Sequence, residues 1–226
     1  MSTGRTLFRV YRPVVLWFGV ALLLIEAAAV TAILILGPAP VSLWLVIGGS
    51  ATKYWLLVVG TILVTTNLRQ FVANGVTRRE FLLAAAALGA AIAVAVAILI
   101  PLGHGLENAV FALTDRRAAG YPVFSAGRAF DEFGRSLAGS LAYFVSGGLF
   151  GAVFYRYSPW AGIAQLVPAA VPLFASQALL GYDPTQTADG LLPYLPALLI
   201  TFGVVAAGAF WLRQTMRDVA IRRTPG

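Results

Sequence analysis

Glu26 is the first residue whose type and place point to chemistry, because it stands inside an otherwise apolar run covering 14–36. An ionised carboxylate at the centre of a bilayer costs roughly 3 kcal/mol or more. Such a group must face a bundle interior or a wet cavity, or carry a proton. One reading makes Glu26 a proton or substrate contact. The plainer one makes it a neutral acid hydrogen-bonded to a polar neighbour such as Gln165, Gln177 or Ser146.

His104, in "PLGHGLEN" beside Glu107, could join Asp115 or Asp131 around a metal. It is the chain's one histidine, so a multi-histidine metal site within a single chain is excluded, and a solvated loop histidine is the simpler expectation. No metal site is expected. A third constellation is "NGVTRREF", Asn74, Gly75, Val76, Thr77, Arg78, Arg79, Glu80 and Phe81. Asn-Gly is a helix stop, since glycine takes the left-handed conformation after a last turn without steric cost. Thr77 followed three residues on by Glu80 reads as a capping box that opens the next helix.

Much chemistry is absent. No Gly-x-x-x-x-Gly-Lys occurs, and Lys53 is the only lysine, so the chain cannot hydrolyse ATP by a P-loop mechanism. His-Glu-x-x-His and Gly-x-Ser-x-Gly are missing too, and without cysteine there is no thiolate or disulfide chemistry. The chain does not read as an enzyme, and no cofactor bound by the chain itself is expected.

The elements that carry these residues follow from composition. At 59% hydrophobic and 11% charged residues, the chain has too few charges to cover a water-exposed surface. Apolar runs near the roughly 20 residues needed to cross a bilayer predict an all-α integral membrane protein. It forms one domain, 1–226, of six spans at about 14–36, 51–74, 79–102, 136–156, 160–181 and 191–213. The first run is too long for a signal-peptide core, so a retained span is expected despite the basic "RTLFRVYRP" ahead of it.

"GGSATK" at 48–53 reads as a break between an interfacial piece and the second span, which leaves Lys53, Tyr54 and Trp55 at the outer interface. The outer loop, 103–135, is expected to hold a short helix over 106–113, and another helix running from Ser125 into the fourth span. Pro168 and Pro172 mark bends in the fifth span, while Pro193 and Pro196 open the sixth. "GGLFG" at 147–151 and "GVVAAG" at 203–208 offer close helix contacts.

The net charge of +7 does not imply nucleic acid, because the arginines cluster at the ends of apolar runs. One side collects Arg5, Arg9, Arg12, Arg69, Arg78, Arg79, Arg156, Arg213, Arg217, Arg222 and Arg223. The other holds Lys53, Arg116, Arg117, Arg128 and Arg135, with Glu107, Asp115, Asp131, Glu132, Asp183 and Asp189 as partners. The excess of positives predicts both termini in the cytoplasm of a multi-pass cell-membrane protein. The arginine and alanine bias fits a GC-rich bacterial genome. A second span of 51–74 would push Arg69, Gln70, Phe71 and Val72 beyond the bilayer as an apolar and cationic tip. Simple positive-inside placement against anionic headgroups is the alternative.

"NGVTRREF" resembles the turn between the second and third spans of ABC-2 type transporter membrane subunits. Those permeases have six spans and cytoplasmic termini, and "RTLFRVYRP" is similar to their amphipathic connecting helix. The resemblance implies an exporter subunit for a hydrophobic or amphipathic substrate, paired with a second permease copy as a homodimer or heterodimer. A separate ATP-binding cassette subunit would supply ATP hydrolysis and couple through residues 74–81. The family often places its largest outer segment between the fifth and sixth spans, whereas here it falls at 103–135. Two rivals stand beside this: a non-transporting scaffold or regulator, and a proton-coupled secondary transporter using Glu26. The second would have inverted repeats, but the two halves show no similarity.

Overall fold

The computed structural model describes residues 3–38, 40–157, 159–181 and 192–217, and among them the chain is helical without a strand. Six helices are long and apolar enough to cross a membrane: α1 Thr3–Leu36, α2 Trp44–Ala73, α3 Arg78–Leu113, α4 Ala126–Arg156, α5 Trp160–Leu180 and α6 Tyr194–Arg217. The expected multi-pass architecture is present. Leu191, Asp183, Asp189, Arg222 and Arg223 lie outside the described residues.

The centre is α4, which packs against α2, α3, α5 and α6, while α1 lies chiefly along α3. Backbone closeness explains the arrangement. A Cβ on Gly147 would lie 2.0 Å from the Leu57 carbonyl oxygen, and one on Gly60 would lie 2.3 Å from that of Phe144. These glycines let α2 and α4 touch main chain to main chain, and the Thr61 hydroxyl spans the seam to the Gly147 carbonyl at 3.1 Å. In an apolar medium such close packing replaces the hydrophobic effect as the cohesive force. Gly208 likewise seats Pro172 and Val145, whereas Gly203 meets nothing within 4 Å. The "GVVAAG" contact therefore holds at one of its two glycines.

Three boundaries differ from the sequence expectation. The first is α2, which starts at Trp44 rather than near Ala51 and runs through "GGSATK" without a break. Gly48 and Gly49 do not end the helix, and the Trp44 indole, 1% exposed, is seated by Gly103 of α3, where a Cβ would lie 2.1 Å from its ring. Its Nε1–H donates to the Ile100 carbonyl at 2.7 Å. Lys53 consequently lies inside α2, its chain against Gly139. Two π-helical turns, Trp44–Gly48 and Leu63–Asn67, lie within α2.

The second is α3, which passes through a buried Pro101 and absorbs the short helix expected at 106–113. The loop expected over 103–135 thus shrinks to the stretch between Leu113 and Ala126. The helix expected from Ser125 is present, with the Ser125 hydroxyl accepting from the Arg128 N–H at 3.2 Å. The third is α1, which is continuous from Thr3 and includes the segment read as a separate connecting helix. At 34 residues it is about 51 Å long, so it overshoots a core of roughly 30 Å.

The proline bend in the fifth span is present: Pro159–Ala169 and Val171–Leu180 meet at Ala170. The Ser146 hydroxyl of α4 accepts from the Leu173 N–H at 3.2 Å, supplying a partner where the helix is interrupted.

Candidate functional site

The reversal between α2 and α3 is built by two interlocking caps. Gly75 has φ +82°, its N–H donates to the Val72 carbonyl at 3.0 Å, and the Val76 N–H donates to that of Phe71 at 3.1 Å. This pair of bonds is a Schellman stop. The Asn74 side-chain amide adds a bond to the Gln70 carbonyl at 2.7 Å. One residue later the capping box forms: the Glu80 N–H donates to the Thr77 hydroxyl at 3.2 Å, and the Glu80 carboxylate accepts from the Thr77 N–H at 3.1 Å. Both expected caps are in place, and together they hold the turn rigid.

The apolar residues of this end behave differently from the expectation. Phe71 and Val72 do not stand out as a greasy tip. Both are half-buried against the core, as is Val76, and the Phe71 ring meets the fully buried Phe81 at 5.5 Å. Val76 and Phe81 hold the positions of a hydrophobic staple around the N-cap. A long helix leaving the membrane keeps its apolar side chains on the neighbouring helix rather than in water.

The two arginines have different surroundings. The Arg78 guanidinium donates to the Met216 and Arg217 carbonyls at 3.4 and 3.2 Å, and Arg156 donates to that of Thr215 at 2.9 Å. Two helices are thereby tied to the last described turn of α6. Arg79 is exposed and lies with Arg213 at the mouth of a crevice between α3 and α6.

At the opposite end, a polar cluster replaces the solvated loop expected for His104. His104 is fully buried on α3; its Nδ1 is 2.7 Å from the Glu132 carboxylate and its Nε2 is 2.8 Å from the Pro122 carbonyl. A carbonyl can only accept, so Nε2 carries a hydrogen and donates it to Pro122. Glu107 is also buried: it accepts from the Ser42 hydroxyl and from the Leu43 N–H at 3.1 Å, anchoring the chain as it enters α2. Tyr121 closes the cluster, its ring edge-on to Phe111 at 5.5 Å. Burial, followed by the nearby Glu107 carboxylate, pushes its phenol well above the ordinary tyrosine range. Neither Asp115 nor Asp131 joins His104; Asp131 pairs with Arg135 at 2.7 Å, and no metal-ligand cluster occurs among the described residues.

Sequence reasoning missed this cluster because its partners are far apart along the chain. Beneath it, Lys53, Glu132, Arg135 and Gln177 line a cavity of about 160 Å³, and the second Glu132 oxygen is buried without a hydrogen bond.

Glu26 lacks the partners proposed for it. Gln177 donates to the Tyr143 hydroxyl at 2.8 Å, Ser146 serves the α5 bend, and Gln165 belongs to α5, which packs on α4 and α6. One Glu26 carboxylate oxygen is buried with no hydrogen bond. Glu26→Gln is therefore expected to leave thermal stability in detergent within about 0.5 kcal/mol of the parent. Glu26→Ala removes packing and should lower stability by more. A Glu26→Gln protein that unfolds well below the parent would show that ionisation of this group supports the fold.

Compared with known proteins, the chain matches no family model, no curated protein and no solved structure.

Proposed function

We propose that the chain is the membrane-spanning subunit of an ABC-2 type exporter, powered by a separate ATP-binding cassette subunit. The observation that carries this reading is the doubly capped turn at 74–81, continuous through Arg78 with the end of α6. A force applied at Asn74–Glu80 would move α3 and α6 together, and α2 with them through Phe71 and Phe81. Coupling an external ATPase to a helical bundle requires such a stiff lever. The Arg-rich end faces the cytoplasm in this reading, with both termini on that side. A second copy, or a related permease, packs alongside, with the substrate path between them. The cargo is hydrophobic or amphipathic, and the site is the bacterial cell membrane.

Arg78→Ala with Arg79→Ala tests the coupling. The pair should reduce ATPase copurification and substrate-stimulated hydrolysis by about tenfold, a coupling energy in the usual range. Thr77→Ala should act locally, lowering stability by about 1 kcal/mol for a lost cap. The lysine pair should fall between parent and alanine, because an ammonium keeps the charge but not the planar, multi-donor geometry of a guanidinium. A cysteine at Thr77 should label only from the cytoplasm and one at Ala119 only from outside. Since Tyr121 is buried, Ala119 is the better outer probe. Parental association and hydrolysis in a correctly oriented alanine pair would remove the coupling role.

Proton-coupled transport is the second reading, favoured by the unpartnered oxygens of Glu26 and Glu132. A well-folded Glu26→Gln protein that no longer transports would support it.

A further inference from the structure

The crevice between α3 and α6 has features that the coupling role does not use. The two helices barely touch, because each packs on α4, whose Phe144, Val145 and Gly148 form the floor. The cavity is about 360 Å³ and its walls are apolar, apart from Arg79 and Arg213 at one end. From Arg79 to Ala86 along α3, and from Arg213 to Val205 along α6, it runs roughly 10 to 12 Å at 1.5 Å per residue. Beyond the mouth, Arg78, Arg79, Arg213 and Arg217 line an adjoining groove.

No acid balances these cations among the described residues. The Glu80 carboxylate is engaged by Thr77, and neither Arg79, Arg213 nor Arg217 has a described residue's carboxylate within salt-bridge distance. An apolar slot opening beneath two unneutralised guanidinium groups is complementary to a molecule with a hydrocarbon chain and an anionic head. Basic pockets between transmembrane helices hold phospholipid headgroups in this way, and a guanidinium fork matches a phosphodiester better than an ammonium does.

We infer that this crevice is a binding site for one anionic phospholipid, with its phosphate on Arg79 and Arg213 and an acyl chain between α3 and α6 over α4. The site goes beyond the exporter reading and holds whether or not an ATPase binds the chain. A resident lipid would fill the gap between two helices that otherwise have little direct contact, and so support the α3–α6 pair as one unit.

The test is electron paramagnetic resonance of chain-labelled phosphatidylglycerol and phosphatidylcholine, each at trace level in phosphatidylcholine nanodiscs holding the purified full chain. At about fivefold per arginine engaged, phosphatidylglycerol should populate the motionally restricted component with roughly 25-fold greater affinity than phosphatidylcholine. Arg79→Gln with Arg213→Gln should remove most of that preference. Ala86→Phe fills the slot and should abolish the restricted, phosphatidylglycerol-selective signal with every arginine in place. Should that variant misfold, Ala209→Phe fills the same slot from α6. Excess glycerol 3-phosphate should not compete. Competition by it would make the site one for soluble organic phosphates and overturn the inference. An unchanged preference in the glutamine pair, or in a folded slot-filled variant, would also overturn it. So would the absence of any preference in the parent.

Discussion

Gly147→Leu is expected to prevent stable assembly of the bundle. The new side chain would begin 2.0 Å from a backbone carbonyl oxygen of α2, at Leu57, and 3.0 Å from its Cα. Main chain has no rotamer by which to move aside, so α2 and α4 must part along their length. Gly60 would then lose its fit against Phe144, and Gly151 its fit beside Thr61. Overpacking of this kind costs about 3 kcal/mol or more, and little cohesion other than close packing holds helices together in lipid. Gly203→Ala is the internal control. Its Cβ meets nothing within 4 Å, so it should raise stability by up to about 1 kcal/mol through helix propensity. Thermal unfolding in a single detergent compares the two, and equal midpoints would refute the backbone-contact seam.

His104→Ala should be nearly as damaging, for a different reason. Glu132 is 4% exposed and has one of its two oxygens without a hydrogen bond already. Removing the imidazole leaves the whole carboxyl unpartnered, and leaves the Pro122 carbonyl with only the Asn108 amide at 3.4 Å. Breaking a buried pair by deleting one member costs about 3–5 kcal/mol. Glu132→Ala added to His104→Ala should restore part of that loss, because no charged group then stays behind. The loop carrying Tyr121 should loosen in the single variant, which hydrogen exchange at its backbone would detect. A double variant no more stable than the single one would contradict the buried His104–Glu132 pairing.

The sequence made the six apolar helices and the 74–81 caps legible because both are local properties. Span length needs only a count of apolar residues, and Schellman stops and capping boxes draw their partners from within five positions. The errors came from rules that hold for helices in water. Gly48 and Gly49 read as a break, and Pro101 lies close to the expected end of the third span. Inside an apolar bundle, a helix continues through such glycines, and a buried proline is tolerated where neighbouring helices satisfy backbone groups.

Polar residues misled in the same way. His104, Glu107 and Asn108 suggested a solvated loop, yet Glu107 meets Ser42 at a sequence separation of 65, and His104 meets Glu132 at 28. No local pattern announces such pairs. The Phe71 tip failed because its burial depends on Phe81, beyond the turn, which only the folded reversal brings back.

The most direct test of the central claim places a photo-crosslinking amino acid at Asn74, exposed at the apex of the reversal, in membranes of the native host. The account predicts a crosslink to a polypeptide carrying an ATP-binding cassette, identified by mass spectrometry. The crosslink should weaken in the Arg78→Ala/Arg79→Ala background and be absent when the probe sits at Ala119. Capture of lipid alone, or of another copy of this chain and nothing else, would contradict it.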